Sequence, residues 1–205
     1  MAQLQPVEPK VKGVALREFL RSFVTARGPH AFEKALATMP PEYARQLTLA
    51  DPALGLLAGT WYPAPMIHHL LDAMTAGLKH HERQALIREA AREAVRVTLS
   101  GVYKVLFQAI MSPDRYARNA QTLFSRYFNT GAIAKAAIDT PDGSGHHSVI
   151  RDWTGHHPVL CDVLIYTAEY IYGALGCQDV IVQKTGCVST GHPECTFIIA
   201  WRKVV

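Results

Sequence analysis

The first two-thirds of the chain carry apolar residues at helical spacing. In residues 14–26 and 31–39 they recur every three or four positions, which is the period of an amphipathic helix. The Gly28-Pro29 pair between these two segments is a typical helix stop. The pattern therefore predicts two helices near the start of the chain, and a flexible lead-in over residues 1–12 precedes them.

Three further helices are predicted in the middle of the chain. One begins at Trp61-Tyr62-Pro63 and continues to about residue 78. The longest covers residues 82–111, with Gly101 inside it as a kink or a point where another element approaches closely. A third covers residues 112–128, where Ser112 is a good N-cap and Pro113 suits the first turn.

The pattern changes to that of strands at Gly131. Residues 132–138 and 147–153 are predicted strands, joined by a turn around Pro141 and Gly143. A helix over residues 158–175 and two strands over residues 179–187 and 194–201 follow. This β-β-α-β-β order predicts an α+β fold in which the helices pack on an antiparallel sheet. We expect one domain over residues 13–205, with a helical part (13–130) and a sheet part (131–205).

Composition narrows the classes of function. Of the 205 residues, 49% are hydrophobic and 19% are charged, so the core is ample and the surface carries few charges. Such a surface favours an interface with a protein partner or a second copy in a homodimer. The net charge of +4 is spread along the chain, which does not indicate DNA binding. Without a signal peptide or a long apolar run, the sequence indicates a cytoplasmic protein with reduced cysteines and no membrane span.

The sequence contains none of the common catalytic motifs. It lacks a Gly-x-Ser-x-Gly elbow, a phosphate-binding glycine-rich loop and a His-Glu-x-x-His pair. The glutamates lie among helical charges and fit a solvated face. We therefore expect that the chain is not a self-sufficient enzyme.

Three of the four cysteines are candidates for a metal site. Cys187 and Cys195 flank the last predicted turn, and a hairpin there would bring them close. Cys161 lies near the start of the preceding helix, which can pack on the same end of the sheet. Zinc prefers thiolates in a tetrahedral site. The alternative is that each cysteine is a small buried hydrophobic residue, since no Cys-x-x-Cys pair is present.

Histidines and aromatic residues offer a second candidate site. Four adjacent histidine pairs occur, but neighbouring residues point in different directions, so a pair seldom holds one ion. Apolar side chains with a few polar groups are typical of small-molecule pockets, and ordinary core packing is the alternative. The candidate pocket residues, between the helices and the sheet, are Trp61, His68, Tyr103, Phe107, Phe124, Tyr127 and Trp153.

The segment from Cys161 to Phe197 resembles the 4-vinyl reductase-type domain, which occurs in bacteriochlorophyll biosynthesis proteins and in aromatic-responsive transcriptional activators. In the phenol-responsive sensors, cysteines at this spacing hold a structural zinc with a glutamate three residues before the second cysteine. Lys184 stands at that position here. The resemblance is carried by Cys161, Tyr166, Tyr170, Gly173, Cys187, Gly191, Pro193, Cys195 and Phe197.

This resemblance implies a zinc held by Cys161, Cys187 and Cys195. For the fourth position, His157, His192 and a water are the alternatives, and so is a site that holds no metal. The candidate that we carry forward is His157, which lies one helical turn before Cys161.

The chain as a whole resembles a family of myxobacterial proteins without an assigned activity. The resemblance rests on Val11-Lys12-Gly13, Trp61-Tyr62-Pro63, residues 125–131 and the cysteine-containing end. The wider fold group includes the haem nitric-oxide sensors and a vesicle-tethering subunit. The Tyr-x-Ser-x-Arg triplet that holds the haem propionates in those sensors is absent, so the sequence argues against haem.

These observations lead to a hypothesis of a ligand-binding regulatory module. A small apolar or aromatic molecule would enter between the helices and the sheet, and a zinc would fix the last helix to the last hairpin. The signal would pass through a partner or a homodimer. The alternative is a scaffolding or tethering subunit that binds no ligand.

Overall fold

A computed structural model describes residues 7–51, 54–99, 111–141 and 143–202. In this part of the chain, helices precede a four-stranded antiparallel sheet, and the sheet residues follow the order β-β-α-β-β. The predicted α+β class is therefore confirmed. None of the described helices has the length and hydrophobicity required to cross a membrane.

The helical part begins as the hydrophobic pattern predicts. Helix α1 (Val14–Arg27) and helix α2 (Pro29–Ala37) are separated by Gly28, whose φ of 80° suits a residue without a Cβ. Helices α3 (Pro41–Ala44), α4 (Ala64–Thr75) and α5 (His80–Thr98) follow. Helix α1 buries one stripe against its neighbours α2 and α5. The stripe consists of Leu16, Phe19, Leu20 and Phe23.

A small sheet joins the start of the chain to its middle. Strand β1 (Lys10–Lys12) pairs antiparallel with strand β2 (Trp61–Pro63). Strand β1 lies inside the predicted flexible lead-in, and its Val11 is completely buried, so these three residues are part of the fold. Trp61-Tyr62-Pro63 forms β2 instead of starting a helix, because a residue before proline is driven towards extended backbone. Helix α4 begins directly after it.

The helix predicted over residues 112–128 is divided. Helix α6 (Pro113–Arg118) and helix α7 (Ala120–Phe124) are separated by Asn119, whose side-chain amide donates to the carbonyl of Arg115 at 2.8 Å. The predicted N-cap is present, since the Ser112 hydroxyl accepts from the backbone N–H of Arg115 at 3.2 Å. Beyond Thr98, the predicted long helix with Gly101 lies outside the described residues, apart from Leu99 and Met111.

The second part of the chain forms the main sheet. Strands β3 (Ala132–Thr140), β4 (Gly143–Arg151), β5 (Gln178–Gly186) and β6 (Cys195–Arg202) lie in the order β3-β4-β6-β5. Strand β4 begins four residues earlier than predicted, because its ladder with β3 continues to the turn, where Thr140 pairs with Gly143. Helix α8 (Pro158–Ala174) connects β4 to β5 and packs on α5 and β5.

The two faces of the sheet differ in burial. Alternate residues of β6 are buried against the helices, as expected for a strand with one covered face. We call this covered side the inner face. Its β6 residues are Cys195, Phe197, Ile199 and Trp201.

Candidate functional site

The start of helix α8 forms one wall of the candidate metal site. His157 is the N-cap, and its Nδ1 accepts from the backbone N–H of Val159 at 3.3 Å. Pro158 occupies the first helical position, where its missing N–H is no loss. One turn later, the backbone N–H of Cys161 donates to the carbonyl of His157 at 3.0 Å. This geometry directs the buried Cys161 thiol towards the end of the sheet.

The connection between β5 and β6 supplies two more thiols. Cys187 follows β5, and a single 3₁₀ turn (Val188–Thr190) begins the reversal of the chain. Gly191 completes it with a φ of 86°, a conformation that glycine adopts without strain. Cys195 then opens β6 and pairs with Ile150 of β4. Both thiols are buried, at 2% and 1% exposure.

The distances between the three sulfurs match the edges of a tetrahedral zinc site. The Sγ of Cys187 lies 3.9 Å from the Sγ of Cys161 and 3.7 Å from the Sγ of Cys195. Two thiolates bound to one zinc at about 2.3 Å would be about 3.8 Å apart. The thiols are therefore close enough to share an ion and too far apart to be bonded to one another, and all of them are free cysteines.

The fourth side chain at this cluster is His156. Its Nε2 lies 3.3 Å from the Sγ of Cys187, whereas about 3.5 Å is expected for a nitrogen and a sulfur on one tetrahedral zinc. The ligand atoms of all four residues lie within 4.8 Å of one another. The ring of His156 packs edge-on against Trp153 at a centroid distance of 5.2 Å.

The fourth residue of the cluster is therefore His156, and not its neighbour His157 as expected from the sequence. The backbone of His157 is extended, and neighbouring residues on extended backbone point to opposite sides. Its Nε2 lies 3.1 Å from Oδ1 of Asp72 on α4, and its Nδ1 caps α8, so both nitrogens have partners. His192 is exposed and lies outside the cluster. Lys184 forms an ion pair with Asp162.

Hydrogen bonds within the cluster favour a thiolate. A hydrogen bond with the Cys161 thiol is the main cause that lowers the pKa of the Cys195 thiol to about 4, and a hydrogen bond with His156 adds to this effect. The bond with Cys195, together with burial, raises the pKa of Cys161. The backbone N–H of Val188 also donates to the Sγ of Cys195 at 3.5 Å. Because the thiolate is the form that binds metals, the cluster is prepared for a thiophilic cation.

Two of the aromatic residues predicted to line a pocket, Phe124 and Trp153, pack against each other in the core. The rings of Phe124 and Trp153 are buried, with centroids 5.5 Å apart, and both contact Phe128 at 4.8 and 4.9 Å. Tyr127 is partly buried against the same core. The ring of Trp61 lies on β2 beneath a lysine. Two of the candidates, Tyr103 and Phe107, lie outside the described residues.

His68 connects the helical part to the turn before the metal site. Its Nε2 lies 3.2 Å from the carbonyl oxygen of Gly155, and its ring centroid is 5.1 Å from that of His157. These contacts give His68 a structural role next to the cluster. They explain its burial without a ligand.

Two grooves of the described residues lie away from the space between the helices and the sheet. One, of about 550 Å³, crosses the outer face of the sheet over Ile138, Ile198 and Ala200. The other, of about 260 Å³, lies between α1 and α5 over Ser22 and Leu86. None of the described candidate pocket residues lines either groove.

A buried polar cluster that the sequence analysis did not identify lies under the inner face. His146 of β4 is 2% exposed, and its Nδ1 lies 2.7 Å from the hydroxyl of Tyr172. Its Nε2 lies 3.2 Å from Oδ1 of Asp114. Lys135 of β3 reaches the rings of Tyr172 and Tyr116 from the same side. A sequence pattern gives no signal for this cluster, because its members come from β3, β4, α6 and α8.

Comparison with known proteins finds similarity in structure alone. No model of a known protein family matches the chain, and no curated protein matches it. The unliganded Fe(II) H-NOX protein from K. algicida is 13% identical, with a TM-score of 0.61 over 95% of this chain and 98% of that one. The Fe(II)NO form of an H-NOX protein from S. oneidensis is 10% identical, with a TM-score of 0.61 over 94% and 99%.

This likeness shows the fold and agrees with the wider group that includes the haem nitric-oxide sensors. It does not confirm the finer resemblance to the 4-vinyl reductase-type domain, which stays a prediction.

The expectation that haem is unlikely is contradicted by these comparisons. The similar structures are H-NOX proteins, and two of them were solved in work on heme distortion and on heme redox potential. The absence of the Tyr-x-Ser-x-Arg triplet is therefore not sufficient to exclude haem. Both ring nitrogens of the buried His146 and His157 have partners within the protein.

The chain has the fold of the H-NOX proteins, with a four-residue thiol and imidazole cluster at one end of its sheet.

Proposed function

We propose that the chain is a ligand-binding sensor module in which a zinc ion fixes helix α8 to the β5–β6 hairpin. The ion would be held by Cys161, Cys187, Cys195 and His156. The observation that carries the proposal is the set of four ligand atoms within 4.8 Å of one another, with sulfur separations of 3.7 and 3.9 Å. Three thiolates and one imidazole form a closed structural zinc site, with no position left for a substrate.

The location of the cluster supports a structural role in sensing. It joins the first turn of α8 to the edge of the sheet, so a bound ion would set the orientation of α8 on the inner face. Structural zinc contributes directly to the free energy of folding, because the unfolded chain offers no preformed site. A fixed α8 would carry a change at one end of the sheet to the surface at the other.

The sensing role itself is supported by the fold. The H-NOX protein from K. algicida was solved in an unliganded Fe(II) state and the one from S. oneidensis in an Fe(II)NO state. Of the side chains on which the hypothesis of a small apolar or aromatic ligand rested, Phe124 and Trp153 pack against each other in the core. We propose that the chain acts as one domain in the cytoplasm, where thiols stay reduced. Its output would pass through a protein partner or a homodimer, since few surface residues are charged.

The metal proposal is tested by native mass spectrometry of protein purified without chelator. We expect one zinc per chain. The matched pair His156→Ala and His157→Ala separates ligand from neighbour: the first variant should lose zinc under mild chelation, and the second should keep it. A chain that carries no zinc, or a His157→Ala variant that loses zinc as readily as His156→Ala, contradicts the proposed site.

A further inference from the structure

Lys135 and Ser148 face each other across two strands of the inner face. Lys135 on β3 pairs with Ser148 on β4, and Ser148 pairs with Phe197 on β6. Directly opposed residues of antiparallel strands have Cβ atoms about 5 Å apart and point to the same side. The amine and the hydroxyl therefore approach the same space beneath the sheet.

Aromatic rings surround the Lys135 amine on three sides. Its Nζ lies 5.4 Å from the ring centroid of Tyr116 on α6, 5.5 Å from that of Tyr172 on α8 and 5.3 Å from that of Phe197. Ring faces attract an ammonium, but they do not neutralise it. Among the residues that the structure describes, no carboxylate forms an ion pair with Lys135, and burial alone lowers its pKa to about 7.

The hydroxyl of Ser148 has no hydrogen-bond partner among the described residues. The side chain is completely buried, and its Oγ is one of the few buried polar atoms left without a partner. Buried hydroxyls are nearly always satisfied, so an unsatisfied one beside an unneutralised amine needs an explanation. Both groups can donate a hydrogen bond: the Ser148 hydroxyl has no acceptor among the described residues, and the half-buried Lys135 amine has no ion-pair partner among them.

The charged and titratable neighbours do not fill this need. His146 lies two residues from Ser148 on the inner face, but its nitrogens already contact Tyr172 and Asp114. The Asp114 carboxylate is directed to His146, and its side chain is largely exposed. Lys184 on β5 lies opposite Phe197 of β6, and its amine forms an ion pair with Asp162. Among the described residues, the hydroxyls of Tyr116 and Tyr172 are further titratable neighbours, and burial raises their pKa values.

We infer that Lys135 and Ser148 form the polar end of a ligand site for a small organic acid with one carboxylate and an apolar body. A carboxylate accepts from the ammonium and from the hydroxyl at once, which satisfies both donors. The aromatic rings suit the apolar body. One cation balances a single negative charge, so a monocarboxylate fits better than a phosphate. The inference rests on the proposed sensing role and names its ligand class.

The site predicts that ligand binding takes up a proton. With a pKa of about 7, Lys135 is largely neutral in the free protein at mildly alkaline pH. The bound carboxylate favours the ammonium, so the pKa rises on binding and a proton enters from the buffer. Below pH 7 the amine is already charged, and the affinity should be constant. Above pH 7 it should fall towards tenfold per pH unit.

Benzoate is the probe, titrated by calorimetry into the full-length, metal-analysed protein at several pH values and in two buffers of different ionisation enthalpy. We expect benzoate to bind at least tenfold more tightly than benzyl alcohol, its neutral counterpart, at pH 6.5. The difference between the binding enthalpies measured in the two buffers should correspond to the uptake of about one proton at pH 8.5.

Two substitutions at one position make the test specific. Lys135→Met should weaken benzoate binding at least tenfold. Lys135→Arg should retain binding but lose both the proton uptake and the pH dependence, because a guanidinium stays charged. Lys34→Met, on the exposed side of α2, is the control that should change neither. Ser148→Ala should weaken binding severalfold at every pH.

The inference is overturned if benzoate does not bind at pH 6.5, if benzyl alcohol binds as tightly, or if Lys135→Met binds benzoate like the unmodified chain. Zinc content is measured on every sample, so a failure of the ligand site in zinc-loaded protein is separate from a failure of the proposed metal site.

Discussion

Two buried polar clusters lie under the same sheet and differ in what they lack. At the end of β6, three thiols and an imidazole bring four electron-pair donors together within 4.8 Å. In the middle of β3 and β4, the Lys135 amine has no carboxylate partner among the described residues, and the Ser148 hydroxyl has no hydrogen-bond partner among them. The first cluster is therefore suited to bind a cation, and the second is suited to bind an anion. The difference shows that the kind of unsatisfied group, rather than burial alone, indicates the chemistry of a missing ligand.

The metal cluster should give the largest effect on stability. Cys187→Ser removes a sulfur that lies 3.3–3.9 Å from the other three ligand atoms, and we expect loss of zinc and a fall of about 3–5 kcal/mol in the free energy of unfolding. For a chain of this size that corresponds to a melting temperature lower by about 10 °C. Differential scanning calorimetry measures it. Cys177→Ser, at a half-buried cysteine outside the cluster, is the control and should stay close to the unmodified protein.

Substitution of Lys135, in contrast to Cys187, should raise the free energy of unfolding. Lys135 has a pKa of about 7 in the folded protein and about 10.4 when unfolded, so the unfolded chain binds more protons between these values. Stability from this group therefore rises with pH in that window and is lowest below pH 7. Lys135→Met should stabilise the protein by about 1–3 kcal/mol at pH 6, and by less at pH 9. Urea unfolding at the two pH values tests this, and a destabilised variant would contradict it.

A smaller effect is expected where α4 meets the start of α8. His157→Ala removes the N-cap of α8 and the contact with Asp72, at a cost of about 1–2 kcal/mol. Zinc should remain bound, which separates this loss from that of a metal ligand. Urea unfolding with parallel metal analysis gives both quantities, and a loss of zinc together with stability would make His157 part of the metal site.

The smallest effect is expected at Ser148. Removal of an unpartnered buried hydroxyl should leave the ligand-free protein within about 0.5 kcal/mol of the original, or slightly more stable. Ser112→Ala is the matched comparison, because that hydroxyl caps α6 and its loss should cost about 1 kcal/mol. A larger loss at Ser148 than at Ser112 would mean that the Ser148 hydroxyl has a partner in the folded protein.

The sequence was sufficient for elements with a long, regular pattern. The β-β-α-β-β order, helix α1 and the ends of α8 follow from periodicity and turn residues. The three-residue strands β1 and β2 were not predicted, because so short a strand has no recognisable periodicity. The break at Asn119 was missed because the surrounding residues favour helix, and only the side-chain bond to Arg115 marks the turn.

The sites were predictable only where spacing carries the signal. Cysteines around a tight turn can be recognised from sequence, but the choice between His156 and His157 depends on one backbone rotation before α8. Lys135 stands among alanines in an exposed-looking strand, so its inward direction appears only when β4 and α8 are in place. Aromatic residues are a weaker signal, because Phe124 and Trp153, both predicted to line a pocket, pack against each other in the core.

The most direct test of the metal site is zinc K-edge X-ray absorption on the purified protein. The proposed site predicts three sulfur neighbours at about 2.3 Å and one nitrogen neighbour at about 2.0 Å, with the nitrogen contribution lost in His156→Ala. A sample without zinc, or a first coordination shell of oxygen and nitrogen alone, would contradict the proposal that the thiol cluster holds helix α8 to the sheet.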